Sequence, residues 1–124
     1  MNTFLAISKA LSDENRVRAL LAVAQGELCL CQVIELLRLS PATVSKHMLI
    51  LQQAGLVTRR KQGRWHYYRL AGEDAPAMVR EAIAWALRHL EHEQLAVTDA
   101  ERLCCIRQTP IEELTGCYRS HGTN

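Results

Sequence analysis

The stretch Ser40-Pro41-Ala42-Thr43-Val44-Ser45-Lys46-His47-Met48-Leu49-Ile50-Leu51, closing at Ala54-Gly55, carries the clearest helix start in the chain. Ser40 suits an N-cap, since its side-chain oxygen can accept from an orphan amide of the first turn. Pro41 suits the first helical position, where its missing N–H would have had no partner. Val44, Met48 and Leu51 fall at i, i+4 and i+7, so one stripe faces a core. Thr43, Ser45, Lys46 and His47 are left on or near the outer face. Gly55 ends this helix, which runs over 41–54.

Working outward, a shorter helix precedes it over Cys31–Arg38, with Val33, Ile34 and Leu37 as its buried stripe. Two helices joined by a tight turn, the second opening on polar residues, are the sequence form of a helix-turn-helix. Side chains at the start of the second helix can meet base edges in a major groove. The candidate contacts there are Ser40, Ala42, Thr43, Ser45, Lys46 and His47. Lys46 suits a phosphate equally well, which adds affinity without sequence information.

Beyond Gly55 the apolar period changes. Leu56–Lys61 and Arg64–Leu70 read as two strands around Gln62-Gly63, a hairpin signal. Arg59, Arg60, Lys61 and Arg64 crowd its tip. Their mutual repulsion would be relieved by phosphate, with counterion release and strong salt dependence. Trp65, Tyr67 and Tyr68 suit packing of the hairpin onto the body better than base stacking. Tyr67 stays a candidate DNA contact.

At the ends, Phe4, Ile7 and Leu11 mark a short first helix. Ser12 or Asp13 caps a second, with Val17, Leu20, Leu21 and Ala24 inside. Val79, Ile83, Ala86, Leu87 and Leu90 form a late stripe, with Met78, Ala82 and Trp85 beside it. That face is broad for a terminal helix. It reads as a subunit interface shared with the first helix, the alternative being burial on its own core. The expected fold is mainly α: a winged helix-turn-helix with a two-stranded β-hairpin wing, dimerising through N- and C-terminal helices. Residues 1–95 form the DNA-binding domain. Residues 96–124 form a cysteine-containing tail, with a short helix over Ala100–Ile106 and a loosely ordered Pro110–Asn124.

Charge agrees with this layout. Net charge is +2 over 124 residues. Between Arg38 and Leu70 there are seven basic residues and no acidic one, whereas the remainder holds 8 basic and 13 acidic. A basic module inside an acidic chain is the footprint of a nucleic-acid surface. No apolar run is long enough for a membrane span, and Met1–Leu11 lacks the form of a signal peptide. A cytoplasmic location is expected. Gly-rich phosphate loops and paired acid/base constellations are missing, so an enzyme is not expected, nor an organic cofactor.

Five cysteines, an odd number in a chain read as cytosolic, favour metal or redox chemistry over a disulfide scaffold. Soft, thiophilic metal and metalloid ions prefer thiolate sulfur. Cys29 and Cys31 stand at a helix N-terminus, which is expected to lower their pKa. Two residues apart on a regular helix, they diverge by about 200°. Gripping one ion would then distort the first turn. The alternative is that either is a small buried hydrophobe. Cys104-Cys105 is an adjacent dithiol, and Cys117 follows twelve residues on. They form a site of their own, complete the Cys29/Cys31 site across a dimer, or are incidental thiols.

The segments Lys9–Arg16, Glu27–Cys31, Ser40–His47, Ala54–Val57 and Gly63–Leu70, in this order, closely resemble the ArsR/SmtB family of metal-sensing repressors. The resemblance spans roughly residues 4–95. It implies a dimeric winged-helix repressor that binds an inverted-repeat operator, with half-sites about one DNA turn apart. It also implies release by an inducer: As(III) or Sb(III), or else Cd(II) or Pb(II), bound at Cys29, Cys31, Cys104, Cys105 or Cys117. In the arsenic sensors a third cysteine often follows the pair by three positions; here that position is Ile34. The family's zinc or nickel spacing on the last helix is missing, so His89 and His92 read as solvated. A thiol-redox or persulfide sensor on the same fold remains the rival reading.

Overall fold

The computed structural model describes residues 1–114. Its helices are α1 (Asn2–Ala10), α2 (Glu14–Val23), α3 (Leu30–Leu37), α4 (Pro41–Gln53), α5 (Ala77–Leu90) and α6 (Gln94–Gln108). Its strands are β1 (Leu28–Cys29), β2 (Val57–Gln62) and β3 (Trp65–Leu70), with a 3-10 turn at Ile111–Glu113. None of the helices is long and apolar enough to cross a membrane.

The helix starts obey their capping chemistry. Asp13, rather than Ser12, caps α2, its carboxylate accepting from the Arg16 amide at 3.1 Å. Ser40 caps α4, accepting from the Thr43 amide at 3.2 Å, with Pro41 opening the helix. Val44, Met48 and Leu51 are fully buried, as the spacing requires, and join Leu20, Leu36 and Leu56 in one core. Burying each such side chain is worth about 1.5–3 kcal/mol.

The sheet is antiparallel with order β1-β3-β2. Gln62 pairs with Trp65, so the turn is Gly63-Arg64, one residue later than expected. Gly63 has φ 63°, and a glycine at the first of two turn positions suits the hairpin twist. Gln62 therefore stays in the ladder. The third strand was not expected. Leu28 pairs with Tyr68 and Cys29 with Tyr67, and two residues are too short to show a period.

The C-terminal region differs most from expectation. A fifteen-residue α6 replaces the short helix expected over Ala100–Ile106, and it runs across the boundary placed at residue 95. It packs on α2 and α3, burying Leu103 and Ile106. Polar hooks hold it. Arg18 on α2 donates to both carboxylate oxygens of the buried Asp99, at 2.8 and 2.9 Å. Arg107 donates to the carbonyls of Gly26 and Glu27. Its apolar stripe is too narrow for the period to stand out, while partners some 80 residues away supply the rest.

Candidate nucleic-acid interface and thiol site

α4 presents its outer face as the spacing requires. Ser40, Ala42, Thr43, Ser45 and Lys46 are exposed, and His47 is half-buried at the edge of the core stripe. The Ser40 and Thr43 hydroxyls hydrogen-bond each other at 2.7 Å, so part of their capacity is committed to the helix start. α3 leads into α4 through Arg38, which takes the left-handed conformation (φ 55°) and closes α3.

The wing brings Arg59, Arg60, Lys61 and Arg64 to one exposed hairpin. They are not equivalent. The Arg60 guanidinium makes a two-pronged pair with Glu27, at 2.7 and 2.9 Å, and lies 4.5 Å over the Tyr67 ring. Its charge is therefore half-committed. The bond from Arg60 holds the Glu27 carboxyl below its usual range, against a small cost of burial. The pairing of Glu27 with Arg60 was not legible in the sequence because 33 residues separate the partners. Arg64 lies 5.0 Å over Trp65. Tyr68 is buried, while Trp65 and Tyr67 are half-buried against the core, so the aromatics anchor the wing.

Behind the wing lies a pair of cysteine sulfurs, of which Cys29 is a free thiol. Cys29 and Cys31 are both fully buried, with their sulfurs 2.8 Å apart; Cys31 has a further interaction besides. Two expectations are corrected here. Cys29 is not within the helix. It ends β1 and is the N-cap of α3, with extended φ −71°, ψ 148°. From there its side chain swings onto Cys31, and no helical turn need distort to bring them together. Nor is the Cys29 pKa lowered. Burial pushes the thiol up, outweighing the amides of Cys31 and Leu30.

Cys104 and Cys105 are exposed on α6, to either side of its buried stripe. Cys117 lies outside the described residues. Among the described residues, no three His, Cys, Asp or Glu side chains cluster as a metal site. His92 is exposed and pairs with Glu91 at 3.5 Å, which suits a solvated residue.

The dimerisation candidates divide. Val79, Ile83 and Ala86 of α5 are spent on the chain's own core, whereas Met78 and Trp85 stand exposed beside Phe4 of α1. Trp85 and Phe4 are each 57% exposed.

A helix set behind a tight turn, polar on its outer face, and a basic β-hairpin beside it define a winged helix-turn-helix DNA-binding protein. The comparisons with known proteins agree. Residues 13–59 match the family model described as bacterial regulatory protein, arsR family. The arsenic resistance transcriptional regulator ArsR2 of Pseudomonas putida is 36% identical, over 90% of this chain and 95% of that one. The arsenical resistance operon repressor of Escherichia coli is 35% identical, over 82% and 87%. Among solved structures, a homodimeric winged helix-turn-helix domain from Mycobacterium bovis aligns with TM-score 0.58 and 31% identity, over 75% and 86%. HlyU from Vibrio cholerae aligns with TM-score 0.61 and 26% identity, over 72% and 92%. The chain belongs to the arsR family of bacterial regulatory proteins and is a transcriptional regulator rather than an enzyme.

Proposed function

We propose that the protein is a metalloid-responsive repressor. As a homodimer it holds an inverted-repeat operator, and it lets go when As(III) or Sb(III) binds its cysteine thiolates. The observation that carries this reading is the buried sulfur pair at the junction of β1 and α3. Cys29 belongs to a strand paired with the wing, and Cys31 to the helix before α4. Both DNA-contacting elements are therefore anchored on the two ligands.

The proposed switch follows from shared ligation. One ion held by Cys29 at the end of β1 and Cys31 at the start of α3 imposes its own bond lengths and angles on both elements, shifting α3 relative to β1 and so α4 relative to the wing. A trivalent ion also needs a third sulfur. Cys117, or Cys104 or Cys105 from the same or a second copy, would supply it. The names of the Pseudomonas putida and Escherichia coli relatives support an arsenical inducer. A Staphylococcus aureus relative, 39% identical over 61% of this chain, is a cadmium resistance regulator, so Cd(II) and Pb(II) belong in the test.

The test is an operator gel shift under anaerobic, reducing conditions, titrated with arsenite, antimonite, cadmium, lead and zinc. Arsenite should release the DNA. Cys29→Ser should keep binding and lose the response. Normal response in all five single Cys→Ser variants would overturn the assignment. The sulfur proximity also favours a second reading, oxidation of the pair. A redox sensor would ignore arsenite under these conditions and respond to peroxide or polysulfide.

A further inference from the structure

Arg16 is nearly buried, 9% exposed, and all three of its guanidinium nitrogens are engaged. Nε donates to the Ala10 carbonyl at 3.0 Å, and Nη2 to the Lys9 carbonyl at 2.9 Å. These are the last carbonyls of α1. Nη1 lies 3.2 Å from Nδ1 of His47, on the outer edge of α4. A guanidinium is a donor with no acceptor capacity, and it keeps its proton in proteins. The Nδ1 atom must therefore offer its lone pair. With Nδ1 accepting, the neutral ring carries its hydrogen on Nε2. A carboxylate alone beside the ring would favour the opposite arrangement. Asp13 is that carboxylate, near enough for its charge to feel His47. But Arg16 occupies the Nδ1 edge, and its bonds to the Ala10 and Lys9 carbonyls hold the guanidinium there.

We propose that Arg16 is a positioning residue for DNA recognition: it locks His47 as the neutral Nε2–H tautomer, so that the ring offers one fixed donor to an acceptor on the duplex. This rests on reading α4 as the DNA-reading helix. A free histidine presents donor or acceptor according to its tautomer and so discriminates poorly. A locked one asks for an acceptor, which is a purine N7 or O6, a thymine O4 or a phosphate oxygen.

The test uses the ¹⁵N-labelled full chain at pH about 8.5, well above the ordinary imidazole value. Long-range ¹H–¹⁵N correlation should show His47 with an acceptor-type Nδ1 and a protonated Nε2. Arg16→Met should convert that signature to mixed tautomers. His47→Ala should weaken binding roughly 3- to 10-fold, the worth of one hydrogen bond. The DNA probe is the duplex that the wild-type chain selects from a randomised library. If the loss is confined to one position in each half-site, the acceptor is a base edge. If it is uniform across sequences and reproduced by methylphosphonate substitution, the acceptor is a phosphate.

A wild-type Nδ1–H tautomer, or a folded Arg16→Met chain with an unaltered His47 signature, overturns the proposal. Should His47→Ala still weaken binding, α4 remains the reading helix and Arg16 alone loses its role. Undiminished binding by His47→Ala sinks the role of His47 in DNA contact, and the proposal with it. Should Arg16→Met fail to fold, the wild-type tautomer and the His47→Ala affinity decide the matter.

Discussion

Arg102 on α6 donates to the backbone carbonyl of Leu36 at 2.8 Å, and to that of Glu35 at 3.2 Å. These carbonyls belong to the last turn of α3, where no helical partner exists and the helix dipole is negative. One end of α3 thus carries Cys31, while the other is held by the C-terminal helix.

Arg102→Met should lower the unfolding free energy by about 1–2 kcal/mol, since bonds from a charged donor to backbone are lost. A reduced urea midpoint with unchanged slope is the expected record. A wild-type midpoint would show that α6 does not clamp α3.

Cys29 sets an alkaline limit on stability. Burial raises its pKa in the folded chain, so folding favours the protonated thiol. That contribution is fully present below the unfolded thiol's pKa and is lost as pH rises through the folded value. The urea midpoint of the wild type should therefore decline more steeply than that of Cys29→Ala above about pH 8.5. Burial raises Tyr68 as well, and its ionisation follows at higher pH in both chains alike. Parallel profiles between about pH 8 and 10, below ordinary tyrosine ionisation, would rule the thiol out as the cause.

Lysines and arginines on the interface should differ in their effect on salt dependence. Lys46→Ala and Lys61→Ala should each flatten the plot of log affinity against log salt by about one unit, the signature of one phosphate contact. Arg60→Ala should flatten it less, because Glu27 already holds that guanidinium. Glu27→Gln should tighten binding at low salt by releasing Arg60. Equal slopes for Arg60→Ala and Lys61→Ala would mean that the ion pair opens on DNA without cost.

Trp85→Asp tests the apolar face beside Phe4. A buried charge in an interface has no partner there and is expensive. Sedimentation should show a dimer for the wild type and a monomer for the variant at micromolar concentration, with helical content retained because Trp85 stands outside the core. An unchanged dimer would place the contact elsewhere.

Much of the helix-turn-helix and its wing was legible in the residues. Ser40-Pro41 and the spacing of Val44, Met48 and Leu51 act within one helix, so local rules suffice. Gly63 marks the hairpin, and the register shift by one residue follows from its positive φ. Less legible was everything built from distant partners. Arg18 meets Asp99, Arg60 meets Glu27, and Arg16 meets His47 across separations of 81, 33 and 31 residues.

By itself, then, the order of residues determined where α4 begins, which of its sides is wet and where positive charge gathers, because capping, periodicity and charge are short-range properties. Tertiary structure decided how Cys29 and Cys31 meet, what became of the C-terminal segment and which wing charges are already spoken for. Cys29 illustrates the reason. Its backbone is extended where it ends β1 and caps α3, and in β1 it pairs with Tyr67, 38 residues later in the chain. No window of sequence around Cys29 contains that partner.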